Sequence, residues 1–109
     1  MTMYALLRRL QIRPQFREEA LHTTEHVFLP ALSSEPGFIE FYAVQIGEHE
    51  ALSISLFETK EEAEEGNKKA LEWAKDELFP LAEAPAEVVG MGEVLLHQKK
   101  ELTREGKMG

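Results

Sequence analysis

The sequence contains no cysteine, which excludes a disulfide framework, a thiolate nucleophile and any thiolate metal site. It has no long hydrophobic run either. Arg8 and Arg9 interrupt the apolar stretch nearest the N-terminus, so neither a signal peptide nor a spanning helix is expected, and the reading is cytoplasmic. Positive charge is scarce, with 12 Lys and Arg against 20 Asp and Glu and a formal net charge of −8. That balance repels a phosphate backbone, so nucleic acid is not an expected partner. The length of 109 residues suits one domain, read as residues 1–98. The remaining residues, 99–109, form a polar tail too poor in apolar side chains to be expected to order.

What the chain does contain is centred on Gly37 to Glu58, GFIEFYAVQIGEHEALSISLFE. Two runs rich in β-branched and aromatic residues flank the polar tetrad Gly47-Glu48-His49-Glu50, the pattern of an antiparallel hairpin. Neither parity of the first run is polar. Ile39, Phe41 and Ala43 occupy one, and Phe38, Tyr42, Val44 and Ile46 the other, so both faces need cover. Two registers are open. A four-residue loop puts Ile39 and Phe41 on the face of Leu52 and Ile54, whereas a single bulge puts Tyr42 and Val44 there.

Tyr4 to Ile12 reads as the first strand, with Arg8 and Arg9 on opposite faces, so that one arginine points inward. Pro14 opens a helix whose apolar stripe is predicted to contain Phe16, Ala20, Leu21, Val27, Phe28, Ala31 and Leu32, with Pro30 disturbing its last turn. Thr59 and Glu62 form a capping box at the head of a second helix. Its inner side carries Ala63, Asn67, Ala70, Leu71, Ala74, Leu78 and Leu81, and Pro80 and Pro85 bracket its end. Val88 to Gln98 reads as the last strand, with Gly90 and Gly92 on one face and Glu93 and His97 on the other. The order βαββαβ implies an α+β ferredoxin-like sandwich, with two helices on one face of a four-stranded antiparallel sheet. Its other face is left bare and apolar, which points to a homodimer packed through the open face of the sheet.

Several polar residues have two readings. Asn67 lies inside an apolar stripe, where its amide must meet a ligand oxygen or be satisfied internally. Trp73 flanks that stripe as a substrate wall or an edge-of-core ring. Gly66, in mid-helix, allows close approach of a ligand or partner at a cost of about 1 kcal/mol relative to alanine. Gly90 and Gly92 suit a pocket floor, a bulge or tight packing against a ring. Tyr42 lines a pocket or a subunit contact, depending on the hairpin register. His22-Thr23-Thr24-Glu25-His26 spells H-x-x-E-H, but both histidines fall opposite the apolar stripe and no third ligand converges, so no metal is expected.

The chain resembles the antibiotic biosynthesis monooxygenase (ABM)-like branch of the dimeric α/β-barrel superfamily. The residues that carry the resemblance are Glu35-Pro36-Gly37-Phe38, Ser53-Ile54-Ser55-Leu56-Phe57-Glu58, Asn67 and Ala70 with Glu72-Trp73, and Gly92-Glu93-Val94-Leu95. The resemblance implies a dimeric α/β barrel with neighbouring first and last strands, so that Glu93 can pair with one of the arginines. It also implies a small hydrophobic, aromatic or quinol-like ligand and no cofactor. As an enzyme the chain is expected to be a cofactor-independent monooxygenase, with Asn67 and Trp73 as catalytic residues and Tyr42, Gly66, Gly90 and Gly92 around the substrate. The alternative is a non-catalytic ligand-binding or structural homodimer. Haem-degrading members carry an asparagine on the first strand, and Tyr4 to Ile12 has none.

Overall fold

The computed structural model describes residues 2–98 and 100. Four strands, β1 (Tyr4–Ile12), β2 (Phe38–Gln45), β3 (Glu50–Phe57) and β4 (Ala82–Glu93), form one antiparallel sheet in the order β2-β3-β1-β4. Helical segments follow β1 and β3, which gives the βαββαβ ferredoxin-like arrangement expected from the order of elements.

The first helical region is not one uniform helix. A 3₁₀ turn (Pro14–Phe16) leads into α1 (Arg17–Thr23), a π-helical turn spans Thr24–Phe28, and α2 (Leu29–Ser33) completes it. Pro30 is the physical reason for the change of pitch. It has no N–H to donate, and its ring crowds the carbonyl one turn back, which a wider turn just upstream relieves. That turn also corrects the predicted stripe. Ala20, Phe28 and Leu32 are buried, but Leu21, ahead of the turn, is 57% exposed, and Val27, 45% exposed, and Ala31, also exposed, lie within and after the π turn, whose wider pitch carries them out of α-helical phase.

The second helix, α3 (Lys60–Glu77), begins as its sequence indicated: Thr59 Oγ1 accepts from the Glu62 amide at 3.1 Å and donates to Glu62 Oε1. Ala63, Gly66, Ala70 and Ala74 are its buried face. These small residues let the helix sit close over β1 and β3, where Phe57, 0% exposed, and Leu6 are the large sealed side chains.

The hairpin register is the second of the two open possibilities, reached by a shorter loop rather than by a bulge. Glu50 belongs to β3, and the Ile46 amide donates to the Glu50 carbonyl at 3.0 Å, closing a three-residue connection. Tyr42 therefore lies opposite Ile54 and Val44 opposite Leu52, on the face away from the helices, while Phe41 and Ala43 face them with Ser55 and Ser53. A separate irregularity sits between Phe38 and Glu40.

The last strand starts six residues earlier than expected and ends at Glu93, so His97 lies beyond it. β4 is an edge strand, and its register against β1 shifts between Arg9 and Gln11, near Pro85. An edge with a bulge is where a sheet tolerates the missing N–H of a proline. The tail read as 99–109 lies outside the described residues except for Lys100.

Candidate functional site

Between the helical layer and the sheet is a cavity of about 340 Å³. Its sheet wall is built from alternate residues, Arg8, Leu10 and Ile12 on β1, Phe41, Ala43 and Gln45 on β2, and Ala51 and Ser53 on β3. The cover comes from Ala20, Leu21, Thr24 and Phe28 on the first helical region and from Ala70, Leu71, Ala74 and Leu78 along and just after α3. The lining is mostly apolar. Small residues on α3 leave space that larger ones would fill, and the π turn places Thr24 and Phe28 on the same wall.

Arg8 is the inward arginine of the pair. It is 7% exposed and occupies the cavity wall between β3 and β4, opposite Ser53 on one side and Val88 on the other. Its guanidinium is held by Asn67: Nε donates to Asn67 Oδ1 at 3.1 Å, Nη2 donates to the same oxygen, and Nη2 also reaches the Asn67 backbone carbonyl at 3.5 Å. Among the described residues no carboxylate lies within ion-pair distance of Arg8. Burial alone lowers its pKa from the ordinary guanidinium value to about 10, since the charged form has lost water and gained only neutral oxygens.

Arg9, on the opposite face, is paired conventionally. Its Nε lies 2.6 Å from Glu50 Oε2, and Nη1 is 3.8 Å from Glu87. The expected arginine pair with Glu93 does not form, because Glu93 stands opposite Tyr4, at the far end of β1 from Glu87. At the cavity mouth Arg17 Nη2 donates to the Glu48 carbonyl at 2.8 Å, tying α1 to the hairpin tip.

The residues singled out from sequence are distributed around this cavity rather than gathered in it. Asn67 contributes through Arg8. Trp73 packs against Phe28, with ring centroids 4.8 Å apart, and so supports the wall from behind. Gly66 is approached by the chain's own Phe57 ring: a Cβ there would stand 2.5 Å from Phe57 Cζ. Tyr42, 49% exposed, and Gly90 and Gly92 are on the other face of the sheet. The Tyr42 hydroxyl donates to Glu40 Oε2 at 3.2 Å, and that hydrogen bond, with the carboxylate's charge, raises the phenol above its ordinary pKa. His22 and His26 are exposed neighbours with ring centroids 4.4 Å apart, and no group of three metal-ligating side chains occurs among the described residues.

Sequence reasoning placed one arginine inside but did not connect it to Asn67. Thr24, Gln45 and Ser53 were not singled out as site residues. The two serines of β3 were the available signal, since Ser53 and Ser55 share a parity and are buried on the helix-facing side.

No family model matches the sequence, and no curated protein matches it. Solved structures do match. One from Nitrosomonas europaea, provisionally assigned to the antibiotic biosynthesis monooxygenases, superimposes with a TM-score of 0.71 at 18% identity, over 85% of this chain and 90% of that one. SnoaB of Streptomyces nogalater, a cofactor-independent oxygenase, gives 0.60 at 14% identity over 89% and 95%. This is the antibiotic biosynthesis monooxygenase fold. A dimeric ferredoxin-like protein from an uncultured marine organism superimposes with a TM-score of 0.69 at 14% identity over 93% and 95%. Among the described residues no helix is long and apolar enough to cross a membrane.

Proposed function

We propose that this chain is an ABM-like protein that binds a small hydrophobic, aromatic or quinol-like molecule in the cavity between helices and sheet. The apolar cavity of about 340 Å³ carries that reading; it lies within the range of small-molecule sites, about 300–1,000 Å³. As an enzyme, it is a cofactor-independent monooxygenase. An activated CH₂ of the substrate loses a proton to solvent, the carbanion gives electrons to O₂, and the resulting hydroperoxide loses water. One oxygen atom ends in a ketone and the other in water, with the four electrons that reduce O₂ all supplied by the substrate as its CH₂ becomes a carbonyl. Arg8 is the donor that orients the substrate oxygen, Asn67 positions Arg8, and Trp73 backs the Phe28 wall.

Oxygen uptake with 1,8-dihydroxyanthrone tests this. Protein-dependent uptake above autoxidation, reduced at least tenfold in Asn67→Ala, is the expected result, since each charge-assisted contact holding Arg8 is worth about 1.5–3 kcal/mol. Uptake unchanged in that variant removes Asn67 from the site. Binding without uptake supports the second reading, a non-catalytic ligand-binding dimer.

In either reading the chain is a homodimer through the open face. Tyr42 and Val44 are exposed there beside Ile54 and Leu52, and among the described residues nothing lies within 4 Å of a Cβ placed at Gly90 or Gly92. Val44→Asp is expected to lower the sedimentation mass from roughly twice 12.4 kDa to a single chain at micromolar concentration. A wild-type mass of one chain under the same conditions overturns the dimer.

A further inference from the structure

Arg8 is a buried cation to which none of the described residues supplies an anion. Its nearest partners, Asn67 Oδ1 and the Asn67 carbonyl, are neutral, and they engage Nε and Nη2. A guanidinium has five N–H donors in a planar fork, so the two on Nη1 have no acceptor among the described residues. The chain had acidic residues to spare, with 20 Asp and Glu, yet Glu50 and Glu87 serve Arg9 on the opposite face. A charge buried without a counter-ion is costly, and a fold that keeps one at the wall of an apolar cavity keeps it for something that enters.

Resting on the cavity as a small-molecule site, we infer that its ligand is a hydrophobic monoanion, a fused-ring aromatic carboxylate or a comparably acidic enol, whose charged oxygen docks on Arg8. The rest of the cavity fits that shape of molecule. Leu10, Ile12, Phe28, Phe41, Leu71 and Ala74 surround the space beyond the guanidinium and accept an apolar body. Single charge follows from the surroundings. One guanidinium is buried here, and the protein as a whole is at −8, so nucleotides and other polyanions are repelled before they reach the cavity. The lowered pKa of Arg8 agrees with a cation stabilised by too few partners, and a docked carboxylate reverses that shift.

The experiment is a calorimetric comparison of 2-naphthoate with 2-naphthamide, which share the ring system and differ in the charge of the head group, on the full chain at pH 7. Naphthoate is expected to bind at least tenfold more tightly, the factor a charge-assisted hydrogen bond supplies in a desolvated site. Arg8→Met abolishes the preference while naphthamide still binds, Arg8→Lys keeps part of it, and Arg9→Met leaves both affinities unchanged. Equal affinity of the two ligands for the wild type overturns the anion inference and leaves the small-molecule site standing. Failure of both to bind overturns the site and the inference together. Naphthoate affinity unchanged in Arg8→Met, or reduced in Arg9→Met, overturns the assignment to Arg8. Should Arg8→Met fail to fold, the wild-type comparison and Arg8→Lys decide the matter.

Discussion

Gly66→Ala lowers the unfolding free energy by about 2 kcal/mol, although alanine is the better helix former by about 1 kcal/mol. The reason is the Phe57 ring. A Cβ at residue 66 stands 2.5 Å from Phe57 Cζ and 2.8 Å from Cε2, closer than carbon atoms approach without displacement. The ring has nowhere to go, since Phe57 is fully buried and meets Phe38 edge-on with centroids 5.9 Å apart. For a domain of about 100 residues this corresponds to a fall in Tm of roughly 8–16 °C. Phe57→Leu shortens the side chain where the clash occurs, so the double variant loses less than the two single losses combined. A Tm equal to or above the wild type in Gly66→Ala shows that the ring is not seated against the helix as described.

Asn67→Leu has a comparable effect for an electrostatic reason. It removes the Oδ1 that accepts from Nε and Nη2 of Arg8 and leaves a buried guanidinium with a single backbone carbonyl. The expected loss is about 2–3 kcal/mol in chemical denaturation at pH 7. In an Arg8→Met background the same substitution costs less than about 1 kcal/mol, because the charge that needed the amide is gone. The double variant Arg8→Met/Asn67→Leu is expected to be at least as stable as the wild type. Additive losses in this cycle refute a dependence of Arg8 on Asn67.

The same pair has a pH signature. The pKa of Arg8 is lowered on folding to about 10, so between that value and the ordinary guanidinium pKa the unfolded chain binds the proton and the folded one does not. Stability attributable to this group therefore rises with pH through that window and is lowest below it, by about 3 kcal/mol, where both states are charged. Subtracting the alkaline profile of Arg8→Met from that of the wild type isolates the effect.

Much of the fold was legible because it rests on local patterns. The order of elements, the Thr59 capping box and the inward arginine all follow from periodicity and side-chain chemistry over a few residues. The parts that were not legible depend on distant contacts or on a change of period. Arg8 and Asn67 are 59 residues apart, and their pairing is settled only when α3 lies across β1. Asn67 was recognised as an amide requiring a partner, but the partner could equally have been water, backbone or ligand. By sequence alone Pro80 and Pro85 bracket the end of the second helix, and position 85 falls inside a strand only because β4 is an edge, where a missing N–H is tolerated. The hairpin differed by the membership of Glu50, one residue, and that residue sends Tyr42 to the open face.

The π turn at Thr24–Phe28 has a consequence for how this chain lines up with others of its fold. Such a turn is an α-helix carrying one residue more than its length needs. Aligned with a chain whose corresponding helix is regular, this one requires a single-residue gap within 24–28, and an ungapped alignment would match Val27, half exposed, to a core position that Phe28 fills. Deleting the half-exposed Val27 would return this stretch to unbroken α-helical pitch, with Thr24 and Phe28 then three residues apart and still on one side of the helix, so that the cavity would keep its wall and every strand its place.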